Sequence, residues 1–234
     1  MRHAVIFDMD GVLVDSFALH RIVWAEMARD EGLSFDVARF DEAFGRTSRE
    51  VIAHLWGAGR YTPAQIAVLD ERREGAYRDL LKTQFPGMPG AGDLINALHV
   101  DGFALAMATS APLENAELVL DKLGLRHLFP VIVTAKDVHR GKPDPEVFLL
   151  AAAGVNIPPG RCAVIEDAPP GVEAANRAGM LSIGLTSGGR TRKSLAAARL
   201  VIGSLDELSP SLIRQLLKNH GGRAASQHGA DAPA

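Results

Sequence analysis

Short, uninterrupted runs of apolar residues recur along the chain, and segments with helical spacing lie between them. The apolar runs are at 4–7, 103–108, 131–133, 163–165, 181–185 and, more weakly, 200–202. The helical patterns are at 91–99, 113–123, 145–153 and 171–178. Runs without polar alternation are typical of strands buried on both faces of a parallel sheet. The alternation therefore predicts an α/β fold, a Rossmann-like parallel sheet with helices on both faces.

One long stretch, residues 16–86, interrupts this alternation and contains no pattern typical of a strand. Apolar residues follow helical spacing in four segments, at 18–31, 35–45, 48–55 and 63–81. We therefore predict an all-helical domain inserted into a core formed by residues 1–15 and 87–218. The remainder, 219–234, is rich in Gly, Ala, Ser and His and is predicted to be a flexible tail.

Charge and cysteine content narrow the classes of partner. The chain has 28 acidic and 25 basic residues, a formal charge of −3, so no broad basic face for nucleic acid is expected. Cys162 is the only cysteine, which rules out an internal disulfide. No apolar run approaches the roughly 18 residues of a membrane span, and the run at 4–7 is too short for a signal peptide. We expect a cytoplasmic protein, a monomer or weak dimer, that binds neither nucleic acid nor membrane.

Two carboxylates follow the first predicted strand. Asp8 and Asp10 come where the run at 4–7 ends, and Gly11 permits a sharp turn directly after them. Ligands of open parallel sheets bind at the carboxyl ends of the strands. An isolated pair of this kind is often only an acidic edge facing solvent, so the pair alone does not establish a site.

Polar residues also follow the later strands. Thr109 and Ser110 end one run, Glu166 and Asp167 end another, and Lys142 precedes the helical pattern at 145–153. Each has an ordinary explanation, since hydroxyl groups cap helices and lysines commonly lie in exposed turns. Gathered at one sheet edge, they would form an oxygen-lined magnesium site beside a phosphate site.

These segments, in this order, resemble the motifs of the haloacid dehalogenase-like hydrolases. The resemblance covers roughly residues 1–210 and is to the subgroup that contains β-phosphoglucomutase and small sugar-phosphate phosphatases. The matching elements are Asp8-Met9-Asp10-Gly11-Val12, Thr109-Ser110, Lys142-Pro143, and Glu166-Asp167 with Gly171. The resemblance implies a phosphoric monoester hydrolase that works through an aspartyl phosphate.

The resemblance also implies a role for each matched residue. Asp8 would attack phosphorus as the nucleophile, and Asp10 would be the general acid and then the general base. Lys142 would neutralise charge on the phosphoryl oxygens, while Thr109 and the amide of Ser110 hold the group in place.

The implied cofactor is Mg²⁺. Its ligands would be Asp8, the backbone carbonyl of Asp10, and Asp167, with Glu166 bound directly or through water. Ala111, which follows the hydroxyl pair, is predicted to contact the substrate together with Ser110.

The helical insert resembles the family's small cap domain, which closes over the site and contacts the substrate. His20, Trp24 and Arg49 are predicted to bind substrate, and Arg46 and Arg73 are further candidates. The alternative is that His20 and Trp24 only pack inside the cap and that Arg49 lies on a solvated helix face.

One departure from the mutase pattern bears on the activity. Pro112 and Leu113 stand where the mutase has a lysine and an asparagine, so two polar groups for a second phosphate are missing. We therefore predict a phosphatase acting on a small phosphorylated sugar or related metabolite. A β-phosphoglucomutase-type mutase remains an alternative, and a non-catalytic binding protein on the same fold is a third. Which phosphorylated metabolite is the substrate stays open.

Overall fold

A computed structural model describes residues 2–228 of the protein. By their internal contacts the residues divide into two compact units. Met1–Asp15 with Gly87–Ala234 form the core, and Ser16–Pro86 form the cap. In the part of the chain that is described, no helix is both long enough and apolar enough to cross a bilayer.

The core contains a six-stranded parallel sheet with strand order β3-β2-β1-β4-β5-β6. The strands are β1 Ala4–Phe7, β2 Ala104–Ala108, β3 Val131–Val133, β4 Cys162–Glu166, β5 Leu181–Leu185 and β6 Leu200–Ile202. Each arises from one of the apolar runs. The prediction of a Rossmann-like parallel sheet is confirmed.

Nine α-helices lie within residues 2–228. They are α1 Phe17–Asp30, α2 Val37–Ala43, α3 Ser48–Trp56, α4 Pro63–Thr83, α5 Ala91–Val100, α6 Leu113–Leu123, α7 Glu146–Gly154, α8 Pro169–Arg177 and α9 Pro210–His228. The first four belong to the cap and the last five to the core. Helix α8 begins two residues before its predicted start because proline is well accommodated in the first helical turn.

Residues 219–228 of the tail predicted at 219–234 are helical, and the flexibility predicted for this segment stays a prediction. Helix α9 continues to His228, through a segment that contains the good helix formers alanine, arginine and glutamine. The rest of the predicted tail, 229–234, lies outside the described residues.

The sheet is buried on both faces. Ile6, Ala106 and Val164 point to one face, where they join a core cluster that includes Phe148 of α7 and Ala175 of α8. Helices α5 and α9 contact one another and also contact strands of the sheet. All residues of β1, β2, β4 and β5 are buried, as the absence of polar alternation predicted.

The cap is a helical unit with an aromatic interior. Phe40 lies 5.5–6.2 Å, centroid to centroid, from the rings of Phe17, Trp24, Phe35 and Phe44. Offset and tilted ring pairs at these separations contribute about 0.5–1.5 kcal/mol each beyond the area they bury. The aromatic residues on α1 and α2 therefore hold these two helices together.

Candidate active site

Strand register brings the chemically active residues to one edge of the sheet. Phe7 of β1 pairs with Met107 of β2 on one side and with Ile165 of β4 on the other. Asp8 follows Phe7 and Glu166 follows Ile165, so these two carboxylates lie next to one another at the carboxyl edge of the sheet. This is the edge at which open parallel sheets bind ligands.

Lys142 joins these strand ends through its ammonium group. Nζ donates hydrogen bonds to Asp8 Oδ1 at 2.7 Å, to Glu166 Oε1 at 2.7 Å and to the backbone carbonyl of Ala108 at 3.3 Å. The three protons of the ammonium group thus have three acceptors. The side chains of Lys142 and Asp8 are each 10% exposed, so the pair is shielded from water.

Three carboxylates converge at this edge. Oxygen atoms of Asp8, Glu166 and Asp167 lie within 4.8 Å of one another, and all three residues are buried. One ammonium group cannot balance three negative charges. Carboxylate oxygens are the ligands that hard divalent cations prefer.

The electrostatics of the group reflect this excess of negative charge. Burial raises the pKa of Asp8 to about 7, against the opposing effect of Lys142 and with added repulsion from Glu166 and Asp10. Burial raises the pKa of Asp167 well above its usual range, and repulsion from Glu166 and Asp8 raises it further. Burial alone would lower the pKa of Lys142, but Asp8 and Glu166 more than offset it and the pKa is raised.

Backbone shape at Gly11 makes room for the carboxylates. Gly11 has φ +74°, and a Cβ there would lie 2.2 Å from Asp167 Oδ2. Only glycine combines this left-handed conformation with so close an approach. The buried carboxylates and the glycine turn therefore fit a divalent cation held by Asp8 and Asp167, with Glu166 beside them. Ligation by the Asp10 carbonyl stays a prediction.

The hydroxyl loop after β2 lies at the same edge. The Thr109 N–H donates to Val133 O at 2.9 Å, and Thr109 Oγ1 accepts the N–H of Ala111 at 3.0 Å. Thr109 is buried and Ser110 is exposed. The amide of Ala111 therefore bonds within the loop, and the predicted substrate contacts of Ser110 and Ala111 stay predictions.

Two of the predicted substrate residues pack inside the cap. His20 stacks on Tyr77 with 4.2 Å between ring centroids, and Trp24 lies 6.0 Å from Trp56. Both are less than a tenth exposed. These contacts match the alternative that the two side chains pack within the cap, and their role toward substrate stays a prediction.

The cap arginines divide into a buried one and exposed ones. Arg73 is buried, pairs with Asp70 and Glu74, and lies 5.1 Å from the ring of Trp24. Its charge is therefore used within the cap. Arg46 and Arg49 are exposed, and Arg49, in the first turn of α3, has no ion pair among residues 2–228.

Ser187 is a site residue that sequence reasoning missed. It follows β5, and its hydroxyl donates to Asp167 Oδ2 at 3.2 Å. Arg190, three residues later, acts electrostatically to lower the pKa of Asp167. The available signal was the Ser-Gly-Gly sequence at 187–189, which follows the run at 181–185 and so falls at the same sheet edge.

The family follows from the fold, the site and a family comparison. The haloacid dehalogenase-like hydrolase model matches residues 3–179, and the chain belongs to that family. The resemblance inferred from the motifs is thereby confirmed.

Individual relatives include both a phosphatase and a mutase. The chain is 34% identical over 215 residues to validoxylamine A 7′-phosphate phosphatase of Streptomyces hygroscopicus subsp. limoneus, covering 89% of this chain and 96% of the relative. It is 31% identical over 218 residues to β-phosphoglucomutase of Bacillus subtilis (strain 168), covering 91% and 94%. The crystal structure of β-phosphoglucomutase from Clostridium difficile superposes with a TM-score of 0.83 at 26% identity, covering 94% and 99%.

Proposed function

We propose that the protein is a magnesium-dependent phosphatase that hydrolyses a small phosphorylated sugar or related metabolite through an aspartyl phosphate on Asp8. The observation that carries the proposal is the buried Asp8 carboxylate held at 2.7 Å by Lys142 beside two further carboxylates. Similarity to validoxylamine A 7′-phosphate phosphatase supports the activity. We expect it to act in the cytoplasm, as a monomer or weak dimer, with no nucleic-acid partner.

The reaction has two phosphoryl transfers. A carboxylate oxygen of Asp8 attacks phosphorus, the bond from phosphorus to the ester oxygen breaks, and Asp10 protonates the departing oxygen. Asp10, now a carboxylate, accepts a proton from water as the water oxygen attacks phosphorus. The acyl phosphate bond breaks, inorganic phosphate leaves and Asp8 is regenerated.

Fixed charges stabilise both transfers. Lys142 places one positive charge beside Asp8. The Thr109 hydroxyl and the Ser110 amide are expected to donate hydrogen bonds to the phosphoryl oxygens. Mg²⁺ bound by Asp8, Asp167, the Asp10 carbonyl and Glu166 would supply the positive charge that lets a carboxylate approach a phosphate dianion.

The lack of polar side chains at Pro112 and Leu113, where α6 begins, favours hydrolysis over isomerisation. Pro112 caps this helix without a backbone N–H to donate, and Leu113 carries an exposed apolar side chain. A mutase must retain a bisphosphate, and these two side chains offer the second phosphate no hydrogen bond. Similarity to β-phosphoglucomutases keeps isomerisation as the second candidate.

A substrate panel distinguishes the two activities. The enzyme is incubated with Mg²⁺ and a series of hexose and pentose phosphates, including β-glucose 1-phosphate with a trace of the 1,6-bisphosphate. We expect phosphate release that the Asp8→Asn variant does not support. Formation of glucose 6-phosphate with little free phosphate would replace the phosphatase proposal with the mutase one.

A further inference from the structure

The loop that carries Lys142 has to be fixed by contacts outside the sheet. Residues 138–145 connect the short helical turn after β3 to α7 and form no strand or α-helix. The Lys142 ammonium nevertheless reaches two carboxylates at 2.7 Å each. A displacement of the loop by about 1 Å would break both hydrogen bonds, because they weaken steeply beyond their normal length.

Glu146, the first residue of α7, binds the backbone of that loop. Its Oε2 accepts the N–H of His139 at 2.9 Å and the N–H of Arg140 at 3.0 Å. Its Oε1 lies 2.8 Å from His139 Nδ1. Charge-assisted hydrogen bonds of this kind are roughly twice as strong as neutral ones. One carboxylate thus ties two consecutive loop amides to the start of a helix.

Helix α7 is a firm support for this contact. Val147 and Phe148, which follow Glu146, are buried against the sheet. The ring centroid of Phe148 lies 5.1 Å from Lys142 Nζ, within the range of a cation–π contact. The same helix turn therefore holds the loop through Glu146 and borders the ammonium group through Phe148.

We propose that Glu146 is a positioning residue for Lys142, an inference that rests on the phosphatase function proposed above. Its carboxylate fixes the loop amides of His139 and Arg140, and through them the backbone from which Lys142 reaches Asp8. Glu146 itself touches none of the carboxylates of the site, and its side chain is 26% exposed. A negative charge in the first turn also interacts favourably with the helix dipole.

The competing explanation is that Glu146 only stabilises α7. Asp93 is a matched control, because it is an exposed acid in the first turn of α5 whose side chain makes no hydrogen bond or ion pair to a loop within residues 2–228. We expect Glu146→Ala to lower kcat about tenfold or more, since small misplacements of catalytic groups are that costly. Glu146→Gln, which keeps an acceptor oxygen, should lose less, and Asp93→Asn should leave kcat unchanged.

A double-mutant cycle tests whether Glu146 acts through Lys142. Turnover of an activated aryl phosphate is measured for wild type, Glu146→Ala, Lys142→Ala and the double variant. If Glu146 acts by placing Lys142, the Glu146 substitution should change kcat less than about twofold once Lys142 is absent. An equal fold loss in both backgrounds overturns the proposal. If the alanine variant does not fold, Glu146→Gln gives the same cycle with a smaller amplitude.

Amide hydrogen exchange supplies a readout independent of turnover. The amides of His139 and Arg140 should exchange faster in Glu146→Ala than in wild type and be unaffected by Asp93→Asn. Unchanged exchange, or a folded Glu146→Ala enzyme with wild-type kcat, contradicts the positioning role. A wild-type enzyme that releases no phosphate from any substrate refutes the proposed function instead, so the two failures are distinguishable.

Discussion

The carboxylate of Glu166 occupies the space in which a side chain at Gly171 would begin, because a Cβ on Gly171 would lie 1.8 Å from Glu166 Oε1. That same oxygen accepts a hydrogen bond from Lys142, and Oε2 accepts the backbone N–H of Ala168 at 2.7 Å. The absence of a side chain at Gly171 therefore allows Glu166 to take this position. Glu166 in turn helps to position Lys142 beside Asp8.

Gly171→Ala should damage the site without changing the fold class. The added methyl group must displace Glu166 or shift α8, so we expect kcat to fall about tenfold to a hundredfold. Steady-state kinetics on the purified variant measures the loss. Gly92→Ala in α5 is the matched control, because a Cβ there meets no atom within 4 Å. That variant should keep full activity, and wild-type turnover in Gly171→Ala would refute the steric argument.

Magnesium should stabilise the protein more at about pH 8 than at about pH 5.5, since ligand carboxylates must be ionised to bind it. Burial raises the pKa of Asp8 to about 7, above the roughly 4 of an unfolded chain. As the pH rises, the unfolded chain therefore loses the Asp8 proton before the folded protein does. Without magnesium, the contribution of Asp8 to the free energy of unfolding is full below pH ~4 and is lost as the pH rises through 7.

Thermal unfolding with and without Mg²⁺ at the two pH values measures this effect. The magnesium-induced rise in Tm should be smaller in the Asp8→Asn variant, which lacks the titrating ligand. An equal rise in Tm at both pH values in the wild-type protein would show that the buried carboxylates do not bind the metal.

Arg49 should contribute to substrate binding from the cap. It is exposed and has no ion pair in the described part of the chain, so its charge is available to a phosphate or hydroxyl group. Arg49→Ala should raise KM about tenfold while lowering kcat less, as expected for a charge-assisted hydrogen bond made in both ground and transition states. Arg60→Ala, another exposed arginine of the cap, should leave KM unchanged. Equal KM values for the two variants would exclude the role.

Much of the fold and the centre of the site could be predicted from sequence. Strands buried on both faces must be apolar throughout, so β1 and β4 are visible as unbroken runs, and the residues after them, Asp8 and Glu166, fall at the ligand edge. The hydrogen bonds from the loop amides to Glu146 could not be predicted, because almost any residue in the loop would offer the same backbone N–H group. The packing of Trp24 depends on the rotation of α1, which apolar spacing constrains only loosely.

The central claim is that Asp8 becomes phosphorylated during turnover. Asp10→Asn should slow hydrolysis of the acyl phosphate more than its formation from an activated aryl phosphate, because only hydrolysis then lacks its base. Acid-quenched Asp10→Asn enzyme should therefore carry one phosphoryl group by intact mass, mapped by peptide analysis to Asp8 and absent from the Asp8→Asn, Asp10→Asn double variant. Phosphate release from the activated substrate with no phosphoryl group on Asp8, or with the group on another residue, would contradict the mechanism.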